Sequence, residues 1–132
     1  AVEGTPMDFR EMKPIGQEIE ADFGQLKLAG GYDHNFVLSS KAGEMKEMAR
    51  AYCEETGIAM EAFTECCGVQ FYAGNFIGNQ VGKGGASYCD RCGFCLESQF
   101  YPNAVNEKHF PSPLVKAGET FTTKTIYRFS VR

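Results

Sequence analysis

Residues 93–102 form an otherwise apolar run of strand-prone character that contains one carboxylate, Glu97. Because side chains alternate with period two, Phe94, Leu96 and Ser98 are predicted to share one face of this strand. Glu97 then lies on the other face, together with Cys95 and Gln99. A carboxylate in such a run is costly unless it is paired, lies in a solvated cleft or takes part in chemistry. Glu97 is therefore a candidate general base, and the alternative is an ion pair with an Arg or Lys on a neighbouring strand.

Three further stretches have strand-like patterns, and one has a helical pattern. The strands are predicted at residues 32–38, 68–76 and 122–131. Residues 17–28 fit a short helix with Ile19, Phe23, Leu26 and Leu28 on its apolar side, although Gly24 weakens that pattern. Aromatic residues make up 13% of the chain and glycines number 15, which favours a turn-rich β protein.

Residues 41–64 allow two interpretations. Their first half, from Gly43 to Thr56, has the composition of a helix. The sequence Glu-Glu-Thr-Gly at 54–57, however, is a good hairpin turn between two possible strands. The pattern alone leaves helix-then-strand and hairpin both open.

Composition and charge limit the classes of partner. The chain has 132 residues, enough for one domain with a core, and a formal charge of −4 without any Lys/Arg cluster. We therefore expect that the chain does not bind nucleic acid. No apolar run approaches the roughly 20 residues that span a bilayer, so no membrane association is expected. A charged-then-apolar leader is absent, and we expect a cytoplasmic location.

The six cysteines have two interpretations. Cys89, Cys92 and Cys95 have the spacing of metal knuckles and of part of an iron–sulfur run, but no fourth ligand follows at a suitable distance. The simpler interpretation, which we adopt, is that all six are free and mostly buried thiols and that the chain holds no metal. The remaining cysteines are Cys53, Cys66 and Cys67.

Two other polar positions are candidates for ligand binding. Asp33 opens a polar triplet with His34 and Asn35 at the start of a predicted strand, behind two glycines. An aspartate among aromatic residues suits a pair of sugar hydroxyls, and the alternative is a turn cap. His34 is interpreted as a structural histidine. Gln70 is the single amide in an apolar, aromatic run.

Five blocks in this order resemble the aldose 1-epimerase (galactose mutarotase) family. They are Gly-Thr-Pro-x-Asp-Phe-Arg at 4–10, Tyr-Asp-His-Asn-Phe-Val-Leu at 32–38, Gly-Val-Gln-Phe-Tyr-Ala-Gly-Asn-Phe at 68–76, Gly-Phe-Cys-Leu-Glu-Ser-Gln at 93–99 and Phe-Pro-Ser-Pro-Leu-Val-Lys-Ala-Gly-Glu-Thr at 110–120. What they match is the C-terminal two-fifths or so of the family. The cysteines at 66, 67, 89 and 92 depart from its usual pattern.

The resemblance implies an all-β fold, part of a β-supersandwich of mainly antiparallel strands, and it favours the hairpin at 41–64. Residues 1–132 would be the C-terminal segment of one such domain, without a separate linker or second domain. Glu97 corresponds to the family's general base, and Asp33 and Gln70 to residues that bind sugar hydroxyls. We expect Glu97 and Gln70 on adjacent strands. No cofactor is implied.

The function implied is interconversion of the α and β anomers of a hexose, with a monosaccharide as substrate. His34 and His109 do not match the family's catalytic histidine, so the isolated chain is expected to be incomplete. Partners are then an N-terminal mutarotase segment or a second copy, because Phe71, Phe76, Phe94 and Leu96 are predicted to leave apolar surface. The alternatives are a non-catalytic carbohydrate-binding module and a structural or metal-bound assembly piece built on the cysteines.

Overall fold

The computed structural model describes residues 1–39 and 41–132, which form two compact units. The first unit contains Ala1–His34 and Phe71–Cys95, and the second contains Asn35–Gln70 and Leu96–Arg132. The elements, in chain order, are a 3₁₀ helix (Ile15–Gln17), α1 (Gly24–Ala29), β1 (Asp33–Val37), β2 (Lys46–Tyr52), β3 (Ile58–Thr64), β4 (Gly68–Tyr72), β5 (Gln80–Val81), a second 3₁₀ helix (Lys83–Gly85), β6 (Ser87–Tyr88), β7 (Cys95–Gln99) and β8 (Thr125–Val131). The fold class is all-β, as predicted.

Within the described residues, the strands form three sheets, with the orders β1-β4-β7, β2-β3-β8 and β5-β6. The pairs β2–β3, β3–β8 and β5–β6 are antiparallel. Since β4 lies beside β7, Gln70 and Glu97 are on adjacent strands, which confirms that expectation.

Residues 46–64 form the hairpin, and the helical interpretation of 43–56 is wrong. The turn is closed by hydrogen bonds from the Cys53 N–H to the Ile58 carbonyl and from the Gly57 N–H to the Cys53 carbonyl, both at 2.9 Å. Gly57 has a φ of 69°, which a glycine adopts without steric cost. β3 pairs along its length with β2 on one side and with β8 on the other, and this tertiary pairing outweighs the helical composition of residues 43–56.

The predicted helix at 17–28 is shorter than expected. Only Gly24–Ala29 is α-helical, and it ends at Gly30 in the left-handed conformation, with a φ of 67°. Gly24 is the first residue of the helix rather than an interior one, which agrees with its low helix propensity. Leu26 and Ile19 are both buried, at 2% and 6% exposure, although Ile19 lies in a turn before the helix. The expectation for Leu28 is wrong, because its side chain is 84% exposed.

An aromatic cluster (Phe9, Tyr32, Phe71 and Phe94) packs in the first unit. Ring centroids are separated by 4.9 Å for Phe9–Tyr32, 5.4 Å for Phe9–Phe71, 5.5 Å for Tyr32–Phe71 and 6.3 Å for Phe71–Phe94. The buried Tyr32 hydroxyl donates a hydrogen bond to the Pro6 carbonyl at 3.0 Å. Burial raises the pKa of Tyr32, with a smaller contribution from the negative charge of Glu18.

The second unit buries small residues and exposes its last strand. Ala59, Ala62 and Thr64 of β3 are buried, whereas all seven residues of β8 are exposed. The exposed fraction reaches 66% at Phe129 and 78% at Val131. Apolar side chains are therefore concentrated on the surface of this strand.

Two predictions about burial are corrected. Phe71 was expected to contribute to an apolar surface but is 8% exposed, because the aromatic cluster encloses it; Phe76 and Phe94 are exposed, as expected. The cysteines were expected to be mostly buried, yet only Cys66 and Cys67 are, and the other four lie at turns or on the exposed side of β7. Among the described residues, no helix has the length and hydrophobicity needed to cross a bilayer.

Candidate active site

The orientation of β7 is set by contacts on one of its faces. The Ser98 hydroxyl accepts a hydrogen bond from the Thr125 hydroxyl of β8 at 2.8 Å and donates to the Met48 sulfur of β2 at 3.6 Å. Tyr127 of β8 adds a hydrogen bond from its hydroxyl to the Leu96 carbonyl at 2.8 Å. Because side chains alternate along a strand, Glu97 projects to the opposite face from Ser98 and is exposed there.

Glu97 has no hydrogen bond or ion pair with any described residue. An ion pair with an Arg or Lys on a neighbouring strand, the alternative interpretation, is therefore not seen within residues 1–39 and 41–132. The carboxylate stands exposed on the strand, where its oxygens can accept a proton or hydrogen bonds from a ligand.

An amide cluster (Asn35, Gln70 and Gln99) lies in the second unit. The Gln99 side-chain amide donates to the Asn35 side-chain oxygen at 3.0 Å and to the Gln70 side-chain oxygen at 3.5 Å. Gln99 is two residues from Glu97 on β7, so the two side chains share a face. The structure thus brings Gln70, through Gln99, to the strand face that carries Glu97.

Gly68 provides the space for this cluster. A Cβ atom at position 68 would be 2.6 Å from the Asn35 side-chain oxygen and 3.2 Å from the Tyr101 ring. Any larger residue would displace Asn35, and with it the acceptor of the Gln99 amide. A glycine inside a strand is unfavourable on its own, and here the close approach of Asn35 accounts for it.

Gln70 is half-buried on β4 between two buried residues, Val69 and Phe71, which are 4% and 8% exposed. Its neighbours in sequence point into the protein, so Gln70 points to the more accessible side. A glutamine amide carries both a hydrogen-bond donor and an acceptor, and a sugar hydroxyl can bind to either.

Asp33 lies in the first unit, as the exposed first residue of β1. Its backbone N–H donates to Nδ1 of His34 at 3.0 Å. The preceding residue is fixed, because the Tyr32 carbonyl accepts hydrogen bonds from the Ala73 N–H at 2.9 Å and the Asn75 side-chain amide at 3.0 Å. The hydrogen bonds to the Tyr32 carbonyl therefore fix the backbone immediately before Asp33.

The two histidines have different surroundings. His34 is half-buried and uses Nδ1 as an acceptor, which agrees with a structural role. His109 is exposed, with Nδ1 3.7 Å from a carboxylate oxygen of Glu107. Within the second unit, His109 has no hydrogen bond or ion pair to Glu97 among the described residues.

The cysteine spacing does not assemble a metal centre in this structure. No group of three His, Cys, Asp or Glu side chains among the described residues is arranged to hold a metal ion. A cavity of about 670 Å³ lies in the first unit and is lined by residues 15–21, Ala73 and residues 91–94. Asp33, Gln70 and Glu97 are not among its lining residues.

Sequence reasoning missed the roles of Gln99, Asn35 and Gly68. A period-two count already placed Gln99 on the face of Glu97, and Asn35 was visible as part of a polar triplet. The pairing of their strands with β4 could not be predicted, because it depends on contacts between residues far apart in the chain, such as Gln70 and Gln99, 29 positions apart.

Comparison with known proteins agrees with the resemblance. The family model for aldose 1-epimerase matches residues 1–128. A galactose mutarotase from Bos taurus is 41% identical over 132 residues, covering 99% of this chain and 37% of that protein. An aldose 1-epimerase from Escherichia coli (strain K12) is 36% identical over 131 residues, covering 98% of this chain and 38% of that protein.

Solved structures give the same result. The crystal structure of a GalM/aldose epimerase homologue from C. elegans matches with a TM-score of 0.80 and 26% identity, covering 99% of this chain and 38% of that one. The chain therefore spans under two-fifths of the length of these relatives. With nearly all of its residues matched by the family model, the chain belongs to the aldose 1-epimerase family.

Proposed function

We propose that this chain carries the general base and part of the sugar-binding surface of an aldose 1-epimerase that acts on a galactose- or glucose-type hexose. Glu97 is the base, and Asp33 and Gln70 bind sugar hydroxyls. The observation that carries the proposal is the exposed Glu97 carboxylate, which has no partner among the described residues and shares a strand face with the amide cluster. Membership of the family supports the reaction class.

The reaction needs a base at one oxygen of the sugar and an acid at another. Glu97 removes the proton of the C1 hydroxyl while the ring oxygen is protonated, and the C1–ring-oxygen bond breaks. The open aldehyde rotates about the C1–C2 bond and recloses on its other face. Each positioned proton transfer contributes about 10²–10⁴-fold to the rate.

The amide cluster supports the proposed binding role of Gln70. Gln99 donates to the Gln70 oxygen, which ties Gln70 to the strand that carries Glu97. A glutamine amide carries donor and acceptor groups of the kind that bind hydroxyls, and this is the role proposed for Gln70. Asp33 accepts hydroxyl hydrogens, and a carboxylate can accept two from adjacent hydroxyls.

The proton donor for the ring oxygen is proposed to come from an N-terminal mutarotase segment. His34 serves as an acceptor for a backbone N–H, and His109 lies beside Glu107. The relatives named above are more than twice as long as this chain, which supports such a partner. Self-association through the exposed β8 is the second proposed route to a complete protein.

The test is polarimetry of freshly dissolved α-D-galactose and α-D-glucose. We expect little acceleration by the isolated chain and restored acceleration after addition of the N-terminal part of a mutarotase. In the restored state, Glu97→Gln keeps the shape and removes the base, so the rate should fall by about 10²–10⁴-fold. Glu61→Gln, which replaces another strand glutamate whose partner is Arg128, should leave the rate unchanged.

Two results would reject the assignment of Glu97. Unchanged activity of complemented Glu97→Gln would remove Glu97 from the mechanism. An equal loss in Glu61→Gln would show that the assay reports folding rather than chemistry. Full activity of the isolated chain would instead contradict the proposed N-terminal partner.

The second candidate function is a non-catalytic carbohydrate-binding module. The amide cluster favours it, because hydroxyl recognition by amides does not require a base. Saturable binding of galactose by calorimetry, without any acceleration of mutarotation after complementation, would support this function over catalysis. A cytoplasmic location stays a prediction from the sequence, to be checked by cell fractionation.

A further inference from the structure

Two exposed cysteines in the first unit stand at the ends of one four-residue turn. Cys89 and Cys92 are separated by Asp90 and Arg91, and the Cys92 N–H donates to the Cys89 carbonyl at 3.2 Å. A turn closed in this way keeps its first and last Cα atoms within about 7 Å of each other. Disulfides join cysteines whose Cα atoms are about 4.4–6.8 Å apart, so this backbone can accommodate one.

Contacts from the two central residues hold the turn in place. The Asp90 carboxylate accepts the Gly78 N–H at 2.7 Å, and the Arg91 N–H donates to the Gly74 carbonyl at 2.8 Å. Arg91 has a φ of 62°, a conformation that costs a non-glycine residue energy and persists only where its surroundings enforce it. These contacts fix the backbone conformation of the turn that carries the two cysteines.

The Arg91 side chain connects this turn to another part of the same unit. Its guanidinium forms an ion pair with Glu20 at 2.7 Å and donates to the Gly30 carbonyl at 3.3 Å. Cys92 also lines the cavity of the first unit, beside Arg91. A covalent bond across the turn would fix the backbone from which this contact is made.

We propose that Cys89 and Cys92 form a reversible thiol–disulfide site that is oxidised by a small-molecule disulfide of the glutathione class. One cysteine thiolate attacks the small disulfide, forms a mixed disulfide and releases one thiol. The second cysteine thiolate attacks the protein sulfur of that mixed disulfide and releases the other thiol. The protein loses two electrons and two protons, and the small disulfide gains them as two thiols.

Competing thiols are few and can be controlled. Cys95 is also exposed but lies in β7, and no hydrogen-bonded turn joins it to Cys92 among the described residues. Cys53, in the second unit, is exposed, and hydrogen bonds from Thr56 lower its pKa, which favours its reaction with a disulfide. The experiment is therefore done with Cys53→Ser protein, whose circular dichroism is first compared with that of the unchanged chain.

The sequence supplies a direct readout. Trypsin cleaves after Arg91, so Cys89 falls in one peptide and Cys92 and Cys95 in the next. The protein is equilibrated in buffers of reduced and oxidised glutathione, blocked with N-ethylmaleimide, digested and analysed by mass spectrometry. We expect the two peptides to appear linked, with loss of two hydrogen atoms, and to separate after reduction.

Variants decide which cysteines are joined. Cys95→Ser should retain the link, whereas Cys89→Ser and Cys92→Ser should each abolish it. Glutathione adducts on Cys89 or Cys92 without a link between the peptides would overturn the proposal. So would a disulfide inside the second peptide, or a link that is lost in Cys95→Ser.

Discussion

The aromatic cluster of the first unit and the amide cluster of the second are built by opposite means. In the aromatic cluster, ring centroids lie 4.9–6.3 Å apart, and Tyr32 and Phe71 are buried. The amide cluster is held by hydrogen bonds of 3.0 and 3.5 Å, and its neighbour Glu97 is exposed. Burial of apolar area stabilises the fold, whereas exposed polar groups remain able to exchange hydrogen bonds with a ligand. Substitutions in the first cluster should therefore change stability, and those near the second should change sugar binding.

The largest effect on stability is expected from Phe71→Ala. Phe71 is 8% exposed and contacts three other rings, so its truncation should lower the free energy of unfolding by about 3–5 kcal/mol. Chemical denaturation followed by circular dichroism measures this. Phe129→Ala, at a ring that is 66% exposed on β8, is the matched control and should change stability by about 0.5 kcal/mol or less. Equal losses in both variants would show that the ring contacts do not stabilise the first unit.

Asp33→Asn tests an exposed polar residue of the first unit. Its proposed role is to accept hydrogen bonds from hydroxyls, and a hydrogen bond to a charged group is worth about 1.5–3 kcal/mol, or roughly 10–100-fold in affinity. We expect KM to rise with a smaller change in kcat in the complemented polarimetric assay. A fall in kcat at unchanged KM would instead place Asp33 in proton transfer.

Gln99→Leu tests whether the amide cluster positions Gln70. The substitution removes the donor to Asn35 and Gln70, and we expect galactose affinity to fall by about tenfold, the equivalent of one hydrogen bond. Calorimetric titration of the complemented protein measures the affinity, and Gln99→Glu, which keeps an acceptor but loses the donor, should behave similarly. Wild-type affinity in both variants would mean that Gln70 does not depend on Gln99.

Sequence patterns were sufficient for the features that depend on neighbouring residues. The period-two spacing of side chains predicted that Glu97 and Ser98 lie on opposite faces of β7. The turn residues at 54–57 indicated the hairpin that forms, although the residues before them have a helical composition. The helix at 17–28 was overestimated, because apolar spacing continued through residues that form turns ahead of Gly24. The amide cluster could not be predicted without the order of the strands in the sheet. The exposure of Cys89 and Cys92 could not be predicted either, because it depends on the turn they flank and not on the apolar character of cysteine.

The smallest expected effect is on the acid stability of the first unit, outside both clusters. Hydrogen bonds from the Arg10 side chain and backbone lower the pKa of Asp8 from 3.8 to about 2. Since the pKa is lower in the folded state, the stabilisation is present above 3.8 and is lost as the pH falls through about 2. Asp8→Asn should therefore make the unfolding midpoint less dependent on pH across that interval, in urea titrations at a series of pH values. The Asp8 side chain is 24% exposed and that of its ion-pair partner Arg10 is 57% exposed, so solvent screening keeps the change small. Glu11→Gln is the control, because it removes a nearby carboxylate that, in the described part of the chain, has no hydrogen bond to Arg10; an equal flattening in that variant would contradict the assignment to Asp8.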